Sequence, residues 1–485
     1  MLLTSISLKL SQTKGCYSNN IVSLIIKKNN PIMAIVTSIN PYSGKDLKTY
    51  TTHTNKEVTT ILKSANKQFL LWKNSPIAQR GVLLKNAGKE LLKNKQEYAK
   101  MISNEMGKPI SQAISEVEKC ALVCDFYADN AEKQLATEYI KTDAFKSYIT
   151  YEPLGVVLAI MPWNYPFWQV FRFAAPALMA GNVAVLKHAS NVFGSALMIQ
   201  KVFERAGFPE ACFTTLLVES DAIEAIIKNP IIKAVTLTGS ESAGASVASI
   251  AGQYIKKTVL ELGGSNALII FKDANIDKAI ATCVQARFQN TGQSCIAGKR
   301  LLIDASIAEN FIAKLVFKVR KLKSGNPIDA STYIGVMARE DLAIELEKQV
   351  EKSVKQGAKI VLGGKRQGTY FEPTILVNVN ENASVFQEET FGPVLSVTTF
   401  KTEEEAILLS NTSKFGLGVS LFSENLEKME QILSKFEDGA VFINELVKSD
   451  PRLPFGGIKA SGYGRELSKE GIREFVNVKT VYIKK

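Results

Sequence analysis

Between residues 155 and 262 short apolar runs alternate with helical stretches, and this alternation constrains the fold more than any other feature. The runs are GVVLAIM, NVAVLK, FTTLLV, KAVTLTG and KKTVLEL, and the helices between them start near Trp168, Val192, Asp221 and Glu241. Runs rich in Val, Ile and Leu at this spacing predict a doubly wound parallel sheet, which is an α/β fold. Such sheets bind ligands at the carboxyl ends of their strands. A second alternating block begins at ALIIF (267–271). It continues through helical stretches near 275–288 and 305–322 to KIVLGG, PTILVNV, VLSVTTF, GVSLF and GAVFIN. Single cores stop growing near roughly 250–300 residues, so 485 residues predict at least two domains. Ahead of both blocks, VTTILKSANKQFLLW and RGVLLKNAGKELLKN repeat apolar residues at helical spacing. SYITYEPLG and the final VNVKTVYIKK read as strands without local partners, which are candidates for pairing with another subunit.

Charge and cysteine content narrow the function classes. The net charge is +12, and residues 1–32 hold four lysines and no acid. That leader reads as a start codon taken too early, with Met33 opening the chain proper. The remaining charge forms no basic stripe with interleaved aromatics, so nucleic-acid binding is not expected. The most apolar stretch, GVVLAIMPWNYPFW, is broken by Pro162 and Pro166 and is too short to cross a membrane. Six unpaired cysteines and only two histidines exclude a zinc pattern and fit a reducing cytoplasm.

Several residues carry chemistry-bearing patterns. Cys295 sits in FQNTGQSCIAGKR, a small, Gly-flanked setting open to approach, and thiolate is a strong nucleophile. Glu261 ends a strand beside Gly263 and Gly264, where a general base is well placed. Asn164, in MPWNYPFW, can donate a hydrogen bond to an oxyanion. Lys187 ends the second strand and can reach a ribose or phosphate. Gly239 and Ser240 precede a helix whose first N–H groups form an anion site. Gly239 and Gly244 do not give the G-x-G-x-x-G dinucleotide spacing. EETFGP and PFGGIKASGYGRE are Gly-rich loops. Each residue also has an ordinary structural reading: a buried thiol, a solvated strand-end acid, a turn asparagine, a surface lysine.

PWNYP, LTGS, LELGG, GQSC, EETFGP and PFGG occur together and in this order. The chain thereby resembles the aldehyde dehydrogenase superfamily from about residue 36 to its end. The wording around VLKHAS, RFQNTGQSC and SDPRLPFGG is most similar to the succinate-semialdehyde dehydrogenase group. The resemblance implies a Rossmann-type cofactor domain (33–137 and 155–260), a second α/β catalytic domain (261–455) and a small bridging element of oligomerisation strands (138–154 and 466–485). It implies a homodimer or homotetramer acting on a small aldehyde with NADP or NAD. Cys295 would be the nucleophile, Glu261 the deacylation base, and Asn164 with the Cys295 N–H the oxyanion hole. Trp163, Lys187, Ser190, Gly239, Ser240, Glu389 and Phe391 would hold the cofactor, and Glu466 would be a structural or water-relay acid. No metal is implied. Ser190 stands where many NAD-preferring members carry a ribose-gripping Glu, which leaves room for a 2′-phosphate.

Arg172 lies eight residues beyond Asn164, about two helical turns along, so it can point into the funnel toward Cys295. Among Phe167, Trp168 and Phe171 it is expected to want an anion. The resemblance supports a substrate carboxylate as that anion, with Ser449 adding a hydroxyl. A second arginine known in mammalian members of the group falls on Gln289. Three other readings compete: a Cys–His thiol hydrolase, a CoA-acylating relative, and a non-catalytic interaction protein.

Overall fold

The computed structural model describes residues 34–485, and these form one compact unit. The leader, its Cys16 and the start-codon reading lie outside the described residues.

The first alternating block builds a six-stranded sheet. Its order is Gly462–Tyr463, Lys257–Glu261, Ile232–Thr238, Val156–Met161, Val183–His188 and Phe213–Thr215. The five strands from this block run parallel, and the edge strand Gly462–Tyr463 is antiparallel. Helices Trp168–Met179, Phe193–Arg205, Ile223–Lys228 and Glu241–Gln253 make the crossovers, starting within about two residues of where the sequence puts them. FTTLLV extends only to Thr215 as a strand. Residues 156–159 are all buried, as expected of a central parallel strand covered on both faces.

The second block builds a seven-stranded sheet ordered Lys359–Leu362, Thr374–Val377, Val394–Phe400, Gly298–Asp304, Asn266–Ile270, Val419–Phe422 and Val441–Ile443. Only Lys359–Leu362 is antiparallel to its neighbour. Alternate residues supply separate cores: Ala267 and Ile269 face one, Leu268 and Ile270 the other, following the two-residue period of a strand. Four helices between Asn55 and Gln134 pack around the first sheet.

The expectation of two partnerless strands is corrected. Val476–Ile483 pairs antiparallel with Lys146–Pro153, from Val476 opposite Pro153 to Ile483 opposite Lys146, and Glu138–Tyr139 adds a third strand. Residues 323 to 337 apart in sequence satisfy one another, a long-range pairing that no local pattern encodes. Helix Ser468–Arg473 precedes the last strand. Among the described residues no helix is long and apolar enough to cross a membrane.

Candidate active site

The nucleophile loop follows helix Ile276–Phe288. Asn290, Thr291 and Gly292 take consecutive left-handed conformations, with φ of 55°, 54° and 72°, strain of the kind stored at functional sites. Gly292 has no alternative, because a Cβ there would lie 2.3 Å from the carbonyl oxygen of Gly392. Gly264 plays the matching part in the LELGG turn, where a Cβ would fall 2.6 Å from the Cys295 carbonyl oxygen. Cys295 emerges partly exposed to a cavity of about 170 Å³. Burial pushes its thiol up to about 11, and the charges of Lys299 and Arg172 pull it back.

Lys299 holds this loop from behind. Its buried ammonium donates to the carbonyls of Ser294 (2.8 Å) and Cys295 (2.8 Å) and to Glu389 Oε1 (2.9 Å). Glu389 Oε1 also accepts from the Gly264 N–H at 3.0 Å. Arg287 donates to the carbonyls of Thr390 and Gly392, which fastens EETFGP beside the loop. Phe391 meets Trp163 edge to face at 5.7 Å.

Asn164 is buried, and its Nδ2 donates to the Gln293 carbonyl at 3.1 Å. Its carbonyl accepts from Asn290 Nδ2 at 2.9 Å. Among the described residues the Cys295 backbone N–H donates to no protein acceptor, leaving it free for an oxyanion. The turn carrying Asn164 is set by Glu116, whose Oε1 accepts the N–H groups of Phe167 (2.9 Å) and Trp168 (3.0 Å) at a helix start, where a carboxylate is favoured. Glu116 pairs in turn with buried Lys108.

His188 is fully buried. Its Nε2 contacts the Pro166 carbonyl at 2.9 Å, and its Nδ1 accepts from the Ala189 N–H. Burial lowers its pKa to about 4. Both ring nitrogens are engaged, so His188 cannot serve Cys295 as a base. That removes one member of the Cys–His reading.

Glu261 ends its strand buried, and neither carboxylate oxygen has a hydrogen-bond partner among the described residues. Burial first, then the charge of Glu466, holds its carboxyl well above the usual carboxylate range, while Arg172 opposes both. It is close enough for its charge to raise the Cys295 thiol, yet it is not part of the cavity wall. The expectation that Arg172 stands unpaired in an apolar funnel is corrected. Arg172 does line the cavity, but its guanidinium forms a buried ion pair with Glu466, donates to Thr238 Oγ1 at 3.3 Å and lies over Phe455. An arginine buried here already has a protein anion, supplied from 294 positions later in the chain.

The dinucleotide side lies at the carboxyl ends of the first sheet. Lys187 is buried and, among the described residues, has no ion-pair partner; burial lowers its pKa, and Glu219 is the acid whose charge it feels. Ser190 opens the short helix Ser190–Val192, and Gly239 donates its N–H to the Glu261 carbonyl. Ser240 caps the 13-residue helix Glu241–Gln253 by accepting from the Ala243 N–H. A desolvated, unpaired lysine and the start of a helix suit an anionic dinucleotide. Among the described residues no acid and histidine cluster can hold a metal ion.

The cavity that Cys295 lines also holds one residue expected from the sequence and one that is not. Ser449 is the expected one. Lys119, on helix Ile110–Gln134, donates to Ser449 Oγ at 2.8 Å and lies 4.2 Å from the Trp168 ring centre. The available signal was the polar series Gln112, Ser115, Glu116, Lys119, which recurs at helical spacing on one face of helix Ile110–Gln134.

The model of the aldehyde dehydrogenase family matches residues 27–481. A probable succinate-semialdehyde dehydrogenase [NADP(+)] from Synechocystis sp. is 51% identical over 454 residues, covering 93% of this chain and 100% of the relative. Succinate-semialdehyde dehydrogenase [NADP(+)] 1 from Mycobacterium tuberculosis is 46% identical, covering 92% and 99%. Among solved structures, succinic semialdehyde dehydrogenase from Streptococcus pyogenes in complex with NADP+ superposes with a TM-score of 0.91 at 34% identity, covering 93% of this chain and all of that one. The family model spans most of the chain and these relatives cover it almost end to end, so the chain belongs to the aldehyde dehydrogenase family.

Proposed function

We propose that the protein oxidises succinic semialdehyde, or a similar short carboxy-aldehyde, to the corresponding acid. The observation that carries this reading is the cavity itself, whose lining brings Cys295 together with the cationic side chains of Lys119 and Arg172 and the Ser449 hydroxyl. The curated relatives named for the same substrate support it.

The reaction begins at Cys295. Its sulfur, as thiolate, attacks the aldehyde carbon, and the carbonyl oxygen becomes an oxyanion. The free Cys295 N–H and the Asn164 amide receive that charge, a contribution of about 3–4 kcal/mol for one well-placed donor. NADP or NAD, when bound, supplies the hydride acceptor that leaves a thioester on the cysteine. Lys187, Ser190, Gly239, Ser240, Trp163, Glu389 and Phe391 would hold it. Ser190 presents a hydroxyl rather than an acid near a 2′-phosphate, so NADP is used at least as well as NAD.

Glu261 then takes a proton from water as the oxygen attacks the thioester carbon. The C–S bond breaks, the acid departs and Cys295 returns as thiolate. A carboxyl raised by burial holds a proton accepted at neutral pH better than an ordinary one. This role separates the chain from CoA-acylating relatives. We further infer a cytoplasmic homodimer or homotetramer joined along the Val476–Ile483 edge, where Val478, Tyr482 and Ile483 are exposed.

The test is a panel of aldehydes followed by absorbance of the reduced nicotinamide with each cofactor. Succinic semialdehyde is expected to have the highest kcat/KM. Equal efficiency with butanal would make the protein a general aldehyde dehydrogenase.

A further inference from the structure

The end of the cavity around Ser449 is rich in donors and short of acceptors. Ser449 Oγ accepts from Lys119 Nζ at 2.8 Å and from Trp168 Nε1 at 3.0 Å. A hydroxyl has two lone pairs and one proton. Both lone pairs are therefore engaged, and its proton is left to donate. Lys119 carries three N–H donors, and the structure uses one of them on Ser449. Among the described residues Lys119 has no carboxylate at ion-pair distance.

The acids whose charges reach Lys119 are committed elsewhere. Asp450 is held by Arg452 through two side-chain bonds of 2.9 and 2.6 Å. Glu116 serves Lys108 and the start of helix Trp168–Met179. Of the other two cations that line the cavity, Arg172 is paired with Glu466 and Lys448 with Glu445. The side chain that remains without a counter-charge is Lys119, and it lines the same cavity as Cys295.

We propose that Lys119 is a specificity-determining residue which, with the Ser449 hydroxyl, binds the remote carboxylate of the substrate. One carboxylate oxygen would receive the spare Lys119 N–H groups and the other the Ser449 O–H. The Trp168 ring fixes the ammonium in place before substrate arrives, as a face-on cation is attracted to an aromatic ring. Arg172 adds positive potential to the cavity while it keeps its ion pair with Glu466 and its hydrogen bond to Thr238. This assignment rests on the reading that the substrate carries a remote carboxylate.

The test compares succinic semialdehyde with butanal in wild type, Lys119→Met and Lys119→Arg. Met keeps an apolar stem against Trp168 and removes the charge; Arg keeps the charge. The readout is the ratio of kcat/KM for the two aldehydes, with KM and kcat resolved. Loss of a charged hydrogen-bonding partner predicts that the ratio falls about 10- to 100-fold in Lys119→Met, mainly through KM for succinic semialdehyde. Lys119→Arg is expected to recover most of it. A ratio within about threefold of wild type in Lys119→Met, the size of a neutral substitution, would overturn the assignment. So would equal kcat losses with both aldehydes, which mark a structural role. A wild-type enzyme without preference for the carboxy-aldehyde would instead overturn the substrate reading itself.

Discussion

Removing the ammonium of Lys299 should slow the chemistry of Cys295 without touching the thiol. Lys299→Met keeps the buried stem and deletes a charge that donates to the Ser294 and Cys295 carbonyls and to Glu389. Lys299 is the foremost group lowering the Cys295 thiol, which burial has already pushed up to about 11. At separations of several ångströms and an effective dielectric near 20, one unit charge is worth roughly 2–3 kcal/mol, on the order of two pKa units. Glu389, left without its cation, acts in the same direction, because its negative charge also raises the thiol. The thiolate fraction at pH 8 should then fall about a hundredfold.

Alkylation by iodoacetamide measures that fraction directly, with Cys295→Ala as the blank. The other described cysteines are buried, and burial raises the pKa of each. The expected result is a labelling rate at pH 8 reduced by one to two orders of magnitude, recovering as pH rises, since the change is in proton affinity. An unchanged rate and pH profile would mean that the thiolate is stabilised by something other than this lysine. A reduced rate that stays flat with pH would point to a displaced loop instead.

Three further outcomes are expected. Glu261→Gln should give a burst of reduced nicotinamide followed by steady turnover about 10²- to 10⁴-fold slower, seen by stopped-flow absorbance; unimpaired turnover would place the base elsewhere. Ser190→Glu should shift the NADP-to-NAD ratio of kcat/KM toward NAD by about tenfold or more, because an acid near a doubly charged phosphate costs roughly 1–3 kcal/mol at partly exposed range. Lys119 has its pKa lowered to about 8, by burial first and then by Arg172, against weaker opposing pulls from Cys120, Asp450 and Glu116. A lowered lysine is charged below that value and neutral above it, so KM for succinic semialdehyde should rise above pH 8 while KM for butanal does not follow.

The parts of the molecule legible in the sequence are those set by local pattern. Val156–Met161, Val183–His188 and Ile232–Thr238 are apolar runs bounded by turn residues, and parallel strands buried on both faces have that signature. Helix Glu241–Gln253 announces itself through Ser240, a good N-cap. Cys295 and Asn164 stand out in the sequence because small residues and turns surround them, Ser449 only through the resemblance, and the structure puts Cys295 and Ser449 on one cavity. What stayed hidden depends on distant pairing. Strands Lys146–Pro153 and Val476–Ile483 each look partnerless until the fold joins them. Lys299 reads as an ordinary lysine entering a strand, and only the approach of Glu389 and two carbonyls makes it the support of the nucleophile loop.

Arg172 shows why a charge in an apolar setting cannot be assigned from its neighbours in sequence alone. Phe167, Trp168 and Phe171 correctly implied burial, and burial correctly implied an anion, since an unpaired buried charge costs several kcal/mol. What the neighbours could not show is that the anion is a protein one, because the segment after PFGG brings Glu466 to the guanidinium. The same contact decides the electrostatics of the whole site. With Glu466 on Arg172 and Glu445 on Lys448, the cavity-lining cation without an acid at ion-pair distance among the described residues is Lys119, on the long helix Ile110–Gln134, which no motif marks. Arg172 still lowers both Glu261 and Glu466, which burial and their neighbouring acids would otherwise leave still higher. On the proposed reading, Arg172 therefore tunes the acids Glu261 and Glu466, and Lys119 is left for the substrate carboxylate.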